Sequence, residues 1–351
     1  MRPSLPTHNR VAVYYSNHDI RVETRSLAPP EPGELVFEVN ASGICGSDIM
    51  EWYRRPSAPV VLGHEVAGRV VAVGDGVERF HAGDRIVATH HVPCLACRYC
   101  RAGRETACEL LRTTRFDPGG FAAFIRLPPV NVAHGVLPLP AHVSDDAGSM
   151  VEPLGCVLRG QRKAGVGPGD AVLVIGAGVS GCLHLLAARA RGAEPVYAVD
   201  PQPERRRTAS ELGAARVFDA SEPVAEAVRR ELGRGVDRVI VCTGARDAIA
   251  QALAAVDRAG TVLFFAPMGS EDVLSVPFNR VFWQHEATLA SSYGAAPRDL
   301  AEALELIATG RAAVDRLVTH RLPLEQTQRG FALMLEARES LKIVIDPRLG
   351  M

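Results

Sequence analysis

Val172-Leu-Val-Ile-Gly176-Ala-Gly178-Val-Ser180-Gly181 is the stretch that decides the fold of the second half of the chain. It places the motif Gly-x-Gly-x-x-Gly directly after a short apolar run and at the start of a helical pattern. Such glycines allow a tight turn and a close approach of pyrophosphate, and the helix N-terminus supplies free N–H donors. A second apolar run ends in Asp200, roughly 20 residues later, the spacing of an acid that binds a ribose. The sequence therefore predicts a dinucleotide-binding turn.

The same residues predict which dinucleotide is bound. A carboxylate at Asp200 accepts hydrogen bonds from ribose hydroxyls and repels a 2′-phosphate, which favours NAD over NADP. The three arginines at 205–207 could bind such a phosphate. With Asp200 present we interpret them as an exposed helix face, although Arg205 is expected to reach the ribose. The candidate cofactor residues in this half of the chain are Gly176, Gly178, Ser180, Gly181, Asp200, Arg205 and Thr243.

Strand and helix patterns alternate around this turn. Strands are predicted at 171–175, 195–199, 216–218, 236–242 and 261–266, and helices at 181–191, 203–212 and 245–257. This alternation is typical of a doubly wound parallel sheet. The first third instead has short β patterns interrupted by Gly and Pro, at 10–15, 34–40 and 66–73, which favours an antiparallel, barrel-like domain. Further helices are predicted at 145–164 and 297–309, and a last strand at 341–345.

Bulk properties limit the class of protein. The chain has 351 residues, enough for two domains, and a net charge of −1, which argues against nucleic-acid binding through a basic surface. It has no apolar run long enough to span a bilayer, and residues 1–10 do not form a signal peptide. We therefore expect a cytoplasmic protein, in which the eight cysteines are metal ligands or buried thiols rather than disulfides.

Four of those cysteines lie within one short segment, Cys94, Cys97, Cys100 and Cys108. Four thiolates at this spacing can surround one tetrahedral zinc ion and leave no open position, so the zinc would be structural. The alternative, a set of unrelated buried thiols, is less consistent with such close spacing.

A second group of metal-ligand types is split between Gly43-Ile-Cys45-Gly-Ser47-Asp48 and Gly63-His64-Glu65. Cys, His and Glu side chains suit zinc, and the flanking glycines indicate a constrained backbone. Spacing alone does not show that the two segments converge.

Taken in order, these motifs resemble the medium-chain, zinc-dependent alcohol dehydrogenases over essentially the whole chain. The resemblance extends from Cys-Gly-Ser-Asp through Gly-His-Glu-x-x-Gly and the four-cysteine segment to the nucleotide fingerprint. Val151-Glu152-Pro153-Leu154 is similar to the sorbitol, threonine and polyol branch, where a glutamate replaces a cysteine ligand. The resemblance implies a GroES-like, β-barrel-type catalytic domain at 1–155 and 292–351. It places a NAD-binding Rossmann domain at 156–291.

The family resemblance also implies roles for individual residues. Cys45 and His64 would bind a catalytic zinc ion, completed by Glu65, Glu152 or both. Asp48 would orient His64 through the other ring nitrogen. Ser47 would take the alcohol proton towards the nicotinamide ribose. Two zinc ions per chain follow, one catalytic and one structural.

Several positions depart from the family pattern. Many relatives continue the proton relay with a histidine three residues after the Ser or Thr, where this chain has Met50, which cannot carry a proton. The relay would therefore exit through water or Glu51. Ser292-Tyr293 replaces the Arg-Tyr pair of polyol dehydrogenases, so the resemblance does not extend to sorbitol as the substrate. Lys342 corresponds to a basic residue near the pyrophosphate and the Gly-His-Glu glutamate. Candidate walls of the substrate pocket are Met50, Trp52, Phe116 and Tyr293.

We therefore expect an oxidoreductase that transfers hydride between a secondary alcohol or polyol and NAD(H), as a homodimer or homotetramer. One alternative is a biosynthetic sugar or aminocyclitol dehydrogenase on the same scaffold. Another is a catalytically silent relative that only binds nucleotide, which the intact set of Cys45, His64, Glu65 and Glu152 disfavours.

Overall fold

A computed structural model describes residues 5–350, which divide into two compact units. The first unit contains the described residues up to Gly155, together with Gly294–Gly310 and those from Val314 onward. The second contains Cys156–Tyr293 and Arg311–Ala313. The assignment of residues 1–155 and 292–351 to a catalytic domain, and of 156–291 to a cofactor domain, stays a prediction.

The strands are numbered in chain order. They are β1 His8–Ser16, β2 Asp19–Ser26, β3 Leu35–Gly43, β4 Val60–Val61, β5 Glu65–Val73, β6 Arg85–Ala88, β7 Phe124–Leu127, β8 Val136–Pro138, β9 Val172–Ile175, β10 Val196–Val199, β11 Arg216–Phe218, β12 Val236–Val241, β13 Val256–Phe264, β14 Thr288–Ser291, β15 Val318–Leu322 and β16 Lys342–Ile345.

The α-helices are numbered in the same way. They are α1 Glu51–Arg54, α2 Arg98–Arg101, α3 Glu109–Thr113, α4 Pro129–His134, α5 Asp145–Ser149, α6 Val151–Ala164, α7 Val179–Ala190, α8 Pro203–Glu211, α9 Val224–Leu232, α10 Arg246–Ala255, α11 Pro297–Ala308 and α12 Thr327–Glu336. Short 3₁₀ turns and one π-helical segment, Asn279–Gln284, complete the described elements.

The first unit is built from two sheets, ordered β2-β1-β4 and β15-β16-β3-β5-β6-β8, with β7 also paired to β3. All pairs are antiparallel except β15 with β16. Strand β3 is buried along almost its whole length because it has neighbours on both edges and lies against an apolar core. In its register Gly43 lies opposite both Glu65 on β5 and Val344 on β16. Three distant segments of the chain therefore meet at the end of β3.

The second unit is a six-stranded sheet in the order β11-β10-β9-β12-β13-β14, and every pair is parallel. Strands β9 and β10 and the second half of β12 are apolar without strict alternation, as expected when helices cover both faces. The chain runs from β9 outward to β10 and β11, and then crosses to β12 on the other side of β9, where its direction of winding reverses. The carboxyl end of β9 is therefore the switch point at which such sheets bind nucleotides.

The structure differs from the predicted elements at identifiable places. The single helix predicted at 145–164 is divided at Met150 into α5 and α6. Pro153 explains the break, because proline has no N–H to continue the helical bonds and is tolerated only in a first turn. Helix α7 begins at Val179, two residues earlier than predicted, directly after Gly178. Strand β13 begins at Val256 rather than 261, and the predictions omitted α9 and β14.

Among the described residues, no helix combines the length and apolar character that crossing a bilayer requires.

His184 is a fully buried histidine in α7 of the second unit. Its ring lies edge-on to Phe265 at 4.4 Å between centroids, and Gln161 donates a hydrogen bond to its carbonyl at 2.7 Å. Burial lowers the pKa of His184 to about 3, so the ring is neutral in the folded protein.

We predict that His184 makes the protein less stable as pH falls. Below about pH 6.5 the unfolded chain protonates this ring and the folded chain does not. The contribution of His184 to the free energy of unfolding is therefore full above that pH and is lost as the pH falls to about 3. Between these pH values the free energy of unfolding falls by about 1.4 kcal/mol per pH unit, which is the slope for one proton. Urea unfolding of His184→Gln should show a shallower pH dependence than wild type. In the matched control, His134→Gln at an exposed position, the wild-type slope should persist.

Candidate active site

The end of β3 and the start of β5 bring the two zinc-ligand segments together. Gly43 pairs with Glu65, so Cys45 lies just beyond the end of one strand and His64 just before the other. Ligand atoms of Cys45, His64 and Glu65 all lie within 4.8 Å of one another. The convergence that spacing left open is therefore present, and the donor set is one that zinc accepts.

Glu65 is held by a buried lysine from the last strand. The Nζ atom of Lys342 forms an ion pair with Oε2 of Glu65 and donates a hydrogen bond to the carbonyl of Ile44 at 3.1 Å. Both charged side chains are at most 2% exposed. Any side chain at Gly43 would overlap this pair, which accounts for the glycine. Lys342, expected near both the pyrophosphate and the Gly-His-Glu glutamate, contacts that glutamate.

His64 lies in a strongly negative environment. Its Nδ1 is 3.6 Å from Oδ1 of the buried Asp48, close but longer than an ordinary hydrogen bond. Burial by itself lowers the pKa of His64, but the charges of Asp48, Cys45 and Glu152 outweigh it and raise the pKa to about 10. A divalent cation would relieve this accumulation of negative charge.

Glu152 lies at the start of α6 and is 9% exposed. Its charge acts on His64, but its carboxylate is outside the close group formed by Cys45, His64 and Glu65. The arrangement therefore gives Glu65 the shorter reach to a shared metal and leaves Glu152 at the border of the site.

Ser47 and Asp48 share a partner that sequence reasoning missed, Arg54. Its Nε donates to the Ser47 carbonyl at 3.0 Å and its Nη2 to Ser47 Oγ at 2.9 Å. The same Nη2 lies 3.4 Å from Asp48 Oδ1. Ser47 Oγ is also 3.4 Å from the Cys45 thiol. No sequence motif marks Arg54; its position depends on the turn into α1.

Two histidines beside His64 were also missed. The His90 ring lies 4.7 Å from the His64 ring and 3.7 Å from that of His91, centroid to centroid. Phe116 contacts His90 at 6.1 Å and is 7% exposed, within an apolar cluster of the first unit. The sequence signal that could have identified them is the adjacent pair itself, four and three residues before Cys94.

The remaining candidate pocket residues differ in exposure. Met50 precedes α1 and is half-buried, whereas Trp52 and Tyr293 are exposed. Trp52 stacks in a tilted arrangement on Tyr53 at 5.8 Å between ring centroids.

The four-cysteine segment forms a compact thiol cluster, with all four Sγ atoms within 4.8 Å of one another. Cys94 and Cys97 lie 3.9 and 3.5 Å from Cys100, close to the roughly 3.8 Å between sulfurs around a tetrahedral zinc ion. Hydrogen bonds from the backbone N–H groups of Ala96 and Cys97 lower the pKa of Cys94 to about 6. This donor set fits one structural zinc ion.

The nucleotide fingerprint of the second unit forms the expected turn. Gly176 has φ +94°, and a side chain at Gly181 would overlap the Gly176 carbonyl. Gly178 caps α7, and Ser180 is the second residue of that helix. Thr243, on the loop after β12, lies beside Gly176. The turn therefore has the close backbone approach and free helix N-terminus that a pyrophosphate needs.

Asp200 is 2% exposed at the end of β10. Its Oδ2 accepts a hydrogen bond from the Ala177 N–H at 2.8 Å, and its Oδ1 accepts one from Gln202 at 2.9 Å. Arg205 Nη1 lies 3.8 Å from Oδ2, and a Cβ on Gly178 would lie 3.7 Å from that nitrogen. Asp200 and Arg205 thus both border the fingerprint turn.

We predict that removing Lys342 destabilises the protein strongly. Lys342→Met leaves the Glu65 carboxylate buried without its cation, a loss of about 3–5 kcal/mol in the free energy of unfolding. The double variant Lys342→Met/Glu65→Gln should be less destabilised than the single one, as measured by urea unfolding. Lys163→Met, which changes an exposed lysine, is the control and should cost under about 1 kcal/mol. Equal losses in the two lysine variants would contradict the prediction.

Two family profiles match the chain. The alcohol dehydrogenase GroES-like domain matches residues 31–141, and the zinc-binding dehydrogenase profile matches residues 179–309. Sorbitol dehydrogenase of Ovis aries is 32% identical over 92% of this chain and 92% of the relative.

Solved structures are similar over nearly the full length. (2R,3R)-butanediol dehydrogenase of Bacillus subtilis has a TM-score of 0.86 and 28% identity over 97% of this chain and 100% of that one. A provisionally assigned zinc-binding dehydrogenase of Sinorhizobium meliloti 1021, bound to NADP, has the same TM-score, identity and coverage.

These matches confirm the predicted fold class, a GroES-like domain with a Rossmann-type parallel sheet. They also confirm the prediction of an oxidoreductase that acts on CH–OH groups with zinc and a nicotinamide dinucleotide. Given the Cys45, His64 and Glu65 donor group and the intact fingerprint, the chain belongs to the zinc-dependent medium-chain alcohol dehydrogenase family, in its polyol dehydrogenase branch.

Proposed function

We propose that this chain oxidises a secondary alcohol or polyol with NAD at a catalytic zinc site formed by Cys45, His64 and Glu65. The observation that carries the proposal is the close approach of these three ligand atoms beside the Ser47 hydroxyl. The first unit is proposed as the catalytic domain and the second as the NAD-binding domain.

The proposed catalytic site keeps one position for substrate. A zinc ion held there would act as a Lewis acid that lowers the pKa of a coordinated alcohol. Cys45, His64 and Glu65 would hold it, and Glu152, at the border of the site, would hold a water molecule or substrate hydroxyl or serve as a further ligand. Asp48 would orient the His64 ring through Nδ1.

Ser47 is proposed to receive the alcohol proton. Its Oγ lies next to the Cys45 thiol and can accept a hydrogen bond from a hydroxyl at the open position. Met50 cannot take the proton further, so the proton leaves towards the ribose of the cofactor or towards water. When bound, the nicotinamide would supply the acceptor for the hydride that the alcohol carbon gives up as its oxygen loses this proton.

For cofactor binding, we propose that Gly176, Gly178, Ser180 and Gly181 receive the pyrophosphate, with Thr243 beside it. Asp200 is proposed to bind the ribose hydroxyls and favour NAD, with Arg205 next to it; the burial of Asp200 at the end of β10 supports this role. Lys342 is proposed to influence the cofactor only indirectly, by holding the carboxylate of Glu65, which it contacts.

The substrate is proposed to be a small neutral alcohol or polyol. Met50, Trp52, Phe116 and Tyr293 remain candidates for its contacts, and the burial of Phe116 among apolar side chains gives it the most indirect role of the four. The proposed structural zinc ion is bound by the four thiolates of Cys94, Cys97, Cys100 and Cys108.

A homodimer or homotetramer is proposed from the exposed edge of the second unit. Strand β14 ends the sheet, and the preceding segment exposes Phe278 and Trp283 at 68% and 75%. Exposed apolar side chains beside an unpaired strand edge favour association. A cytoplasmic location is proposed because both thiol sites need reduced cysteines, and none of the eight cysteines, all within the described residues, forms a disulfide.

We predict two zinc ions per chain. Cys45→Ala should retain one and lose at least about a hundredfold in kcat/KM, because Lewis-acid stabilisation contributes several kcal/mol. Cys100→Ser should lose the other ion. Zinc content by mass spectrometry and reduced-nicotinamide absorbance measure both effects. The control is Cys156→Ala, outside both thiol groups, which should keep two ions; a single zinc ion that survives Cys45→Ala would refute the proposed catalytic site.

We predict that Asp200→Ala changes cofactor preference. Losing hydrogen bonds from ribose hydroxyls to a charged acceptor should lower kcat/KM for NAD about 10- to 100-fold, while kcat/KM for NADP holds or rises. Steady-state kinetics with both cofactors measure this. Glu204→Ala, an exposed acid at the start of α8, is the control and should retain the wild-type preference. A wild-type enzyme that already prefers NADP would show the assignment of Asp200 to be wrong.

A further inference from the structure

One guanidinium group holds the two residues that the proposed mechanism uses beside the zinc ligands. Arg54 ends α1, and its Nε and Nη2 donate to the carbonyl and the hydroxyl of Ser47 at 3.0 and 2.9 Å. Its Cζ also lies 4.7 Å from the centre of the Tyr53 ring, which restricts the side chain from another direction. With two bonds to one residue, Arg54 fixes both the backbone and the side-chain rotamer of Ser47.

The direction of the Arg54 bond constrains what Ser47 can do. Arginine remains protonated and has only donors, so Ser47 Oγ must be the acceptor in this contact. One lone pair of Oγ is thereby occupied, and the hydroxyl proton must point away from Arg54. In the structure Oγ lies 3.4 Å from Cys45 Sγ, which can accept this proton, and the second lone pair of Oγ remains for a substrate hydroxyl.

Arg54 also balances the charge of Asp48. The Asp48 carboxylate is fully buried, accepts the Cys45 N–H at 3.0 Å, and lies between Arg54 Nη2 at 3.4 Å and His64 Nδ1 at 3.6 Å. Arg54 is the one permanently charged cation that contacts this carboxylate among the described residues. Without it the buried carboxylate would lose its charge partner, and its contact with the His64 ring would change.

We propose that Arg54 is a positioning residue for the proton transfer of this dehydrogenase, an inference that rests on the proposed function. It holds Ser47 so that Oγ forms a bond to the alcohol proton as the alcohol O–H bond breaks. The original Ser47 proton leaves to water as the final acceptor. The electron pair of the carbinol C–H bond leaves as hydride to the nicotinamide, so the alcohol becomes a ketone and one proton is released. Arg54 itself gains and loses no proton.

The test compares Arg54→Met and Arg54→Lys with Arg55→Met. Arg55 is the adjacent residue, is exposed, and pairs with Glu51 on the same turn, so it controls for charge and helix position. We expect Arg54→Met to retain two zinc ions and the KM for NAD while kcat falls about 10- to 100-fold. Arg54→Lys cannot reach both Ser47 atoms with one ammonium group, so its kcat should lie between those of Arg54→Met and wild type. Arg55→Met should match wild type.

A double-mutant cycle with Ser47→Ala separates positioning from general structural support. If Arg54 acts through the Ser47 hydroxyl, Arg54→Met should cause little further loss of kcat in the Ser47→Ala background. Added guanidinium ion at concentrations that do not unfold the protein should partly restore the kcat of Arg54→Ala and leave Ser47→Ala unchanged. These two readouts do not respond to a merely structural role.

The outcomes separate the proposed function from the role of Arg54. If the wild-type protein holds two zinc ions but oxidises no alcohol of a broad panel, the proposed function is overturned and this inference with it. An active wild-type enzyme in which the losses from Arg54→Met and Ser47→Ala add independently would overturn the inference alone. The inference alone would also be overturned if Arg54→Met loses zinc or unfolds while Arg54→Lys keeps the wild-type kcat.

Discussion

The first unit depends on the buried ion pair between Glu65 and Lys342. These residues are far apart in sequence, and their strands, β5 and β16, lie on either side of β3. A buried carboxylate and a buried ammonium are each costly to desolvate, so they are compatible with the fold only because they are paired and the ammonium has a further acceptor at Ile44. Gly43 leaves the space that the pair occupies. The last strand of the chain is therefore part of the zinc-ligand site at its beginning.

Around this pair, each buried carboxylate has a close basic partner. Lys342 faces Glu65, His64 faces Asp48, and Asp48 in turn faces Arg54. Such an arrangement keeps each carboxylate neutralised in a low-dielectric environment and restricts side-chain rotation. The consequence for the proposed mechanism is that Ser47 and His64 are positioned before a metal or substrate arrives, so little reorganisation is needed when they bind.

The second unit achieves its binding geometry with backbone rather than charge. Gly176 adopts a positive φ, Gly181 allows contact between the turn and the helix, and Asp200 is fixed by two backbone N–H groups. Because these constraints are local, a short sequence pattern is sufficient to specify them. The same is true of the four thiols at 94–108, whose ligand atoms meet within a single segment.

The sequence by itself therefore determined the features that depend on local spacing, which are the nucleotide turn and the thiol cluster. It also gave the ligand types of Cys45 and His64, but not their convergence. Only the tertiary structure decided which distant side chains complete the site. Lys342 lies on Glu65 because β16 pairs with β3, and Arg54 reaches Ser47 because α1 turns back over the end of the ligand segment. Phe116, predicted as a wall of the substrate pocket, lies within an apolar cluster and next to His90. Contacts of this kind depend on strand register and helix orientation, which a single sequence does not encode in any local pattern.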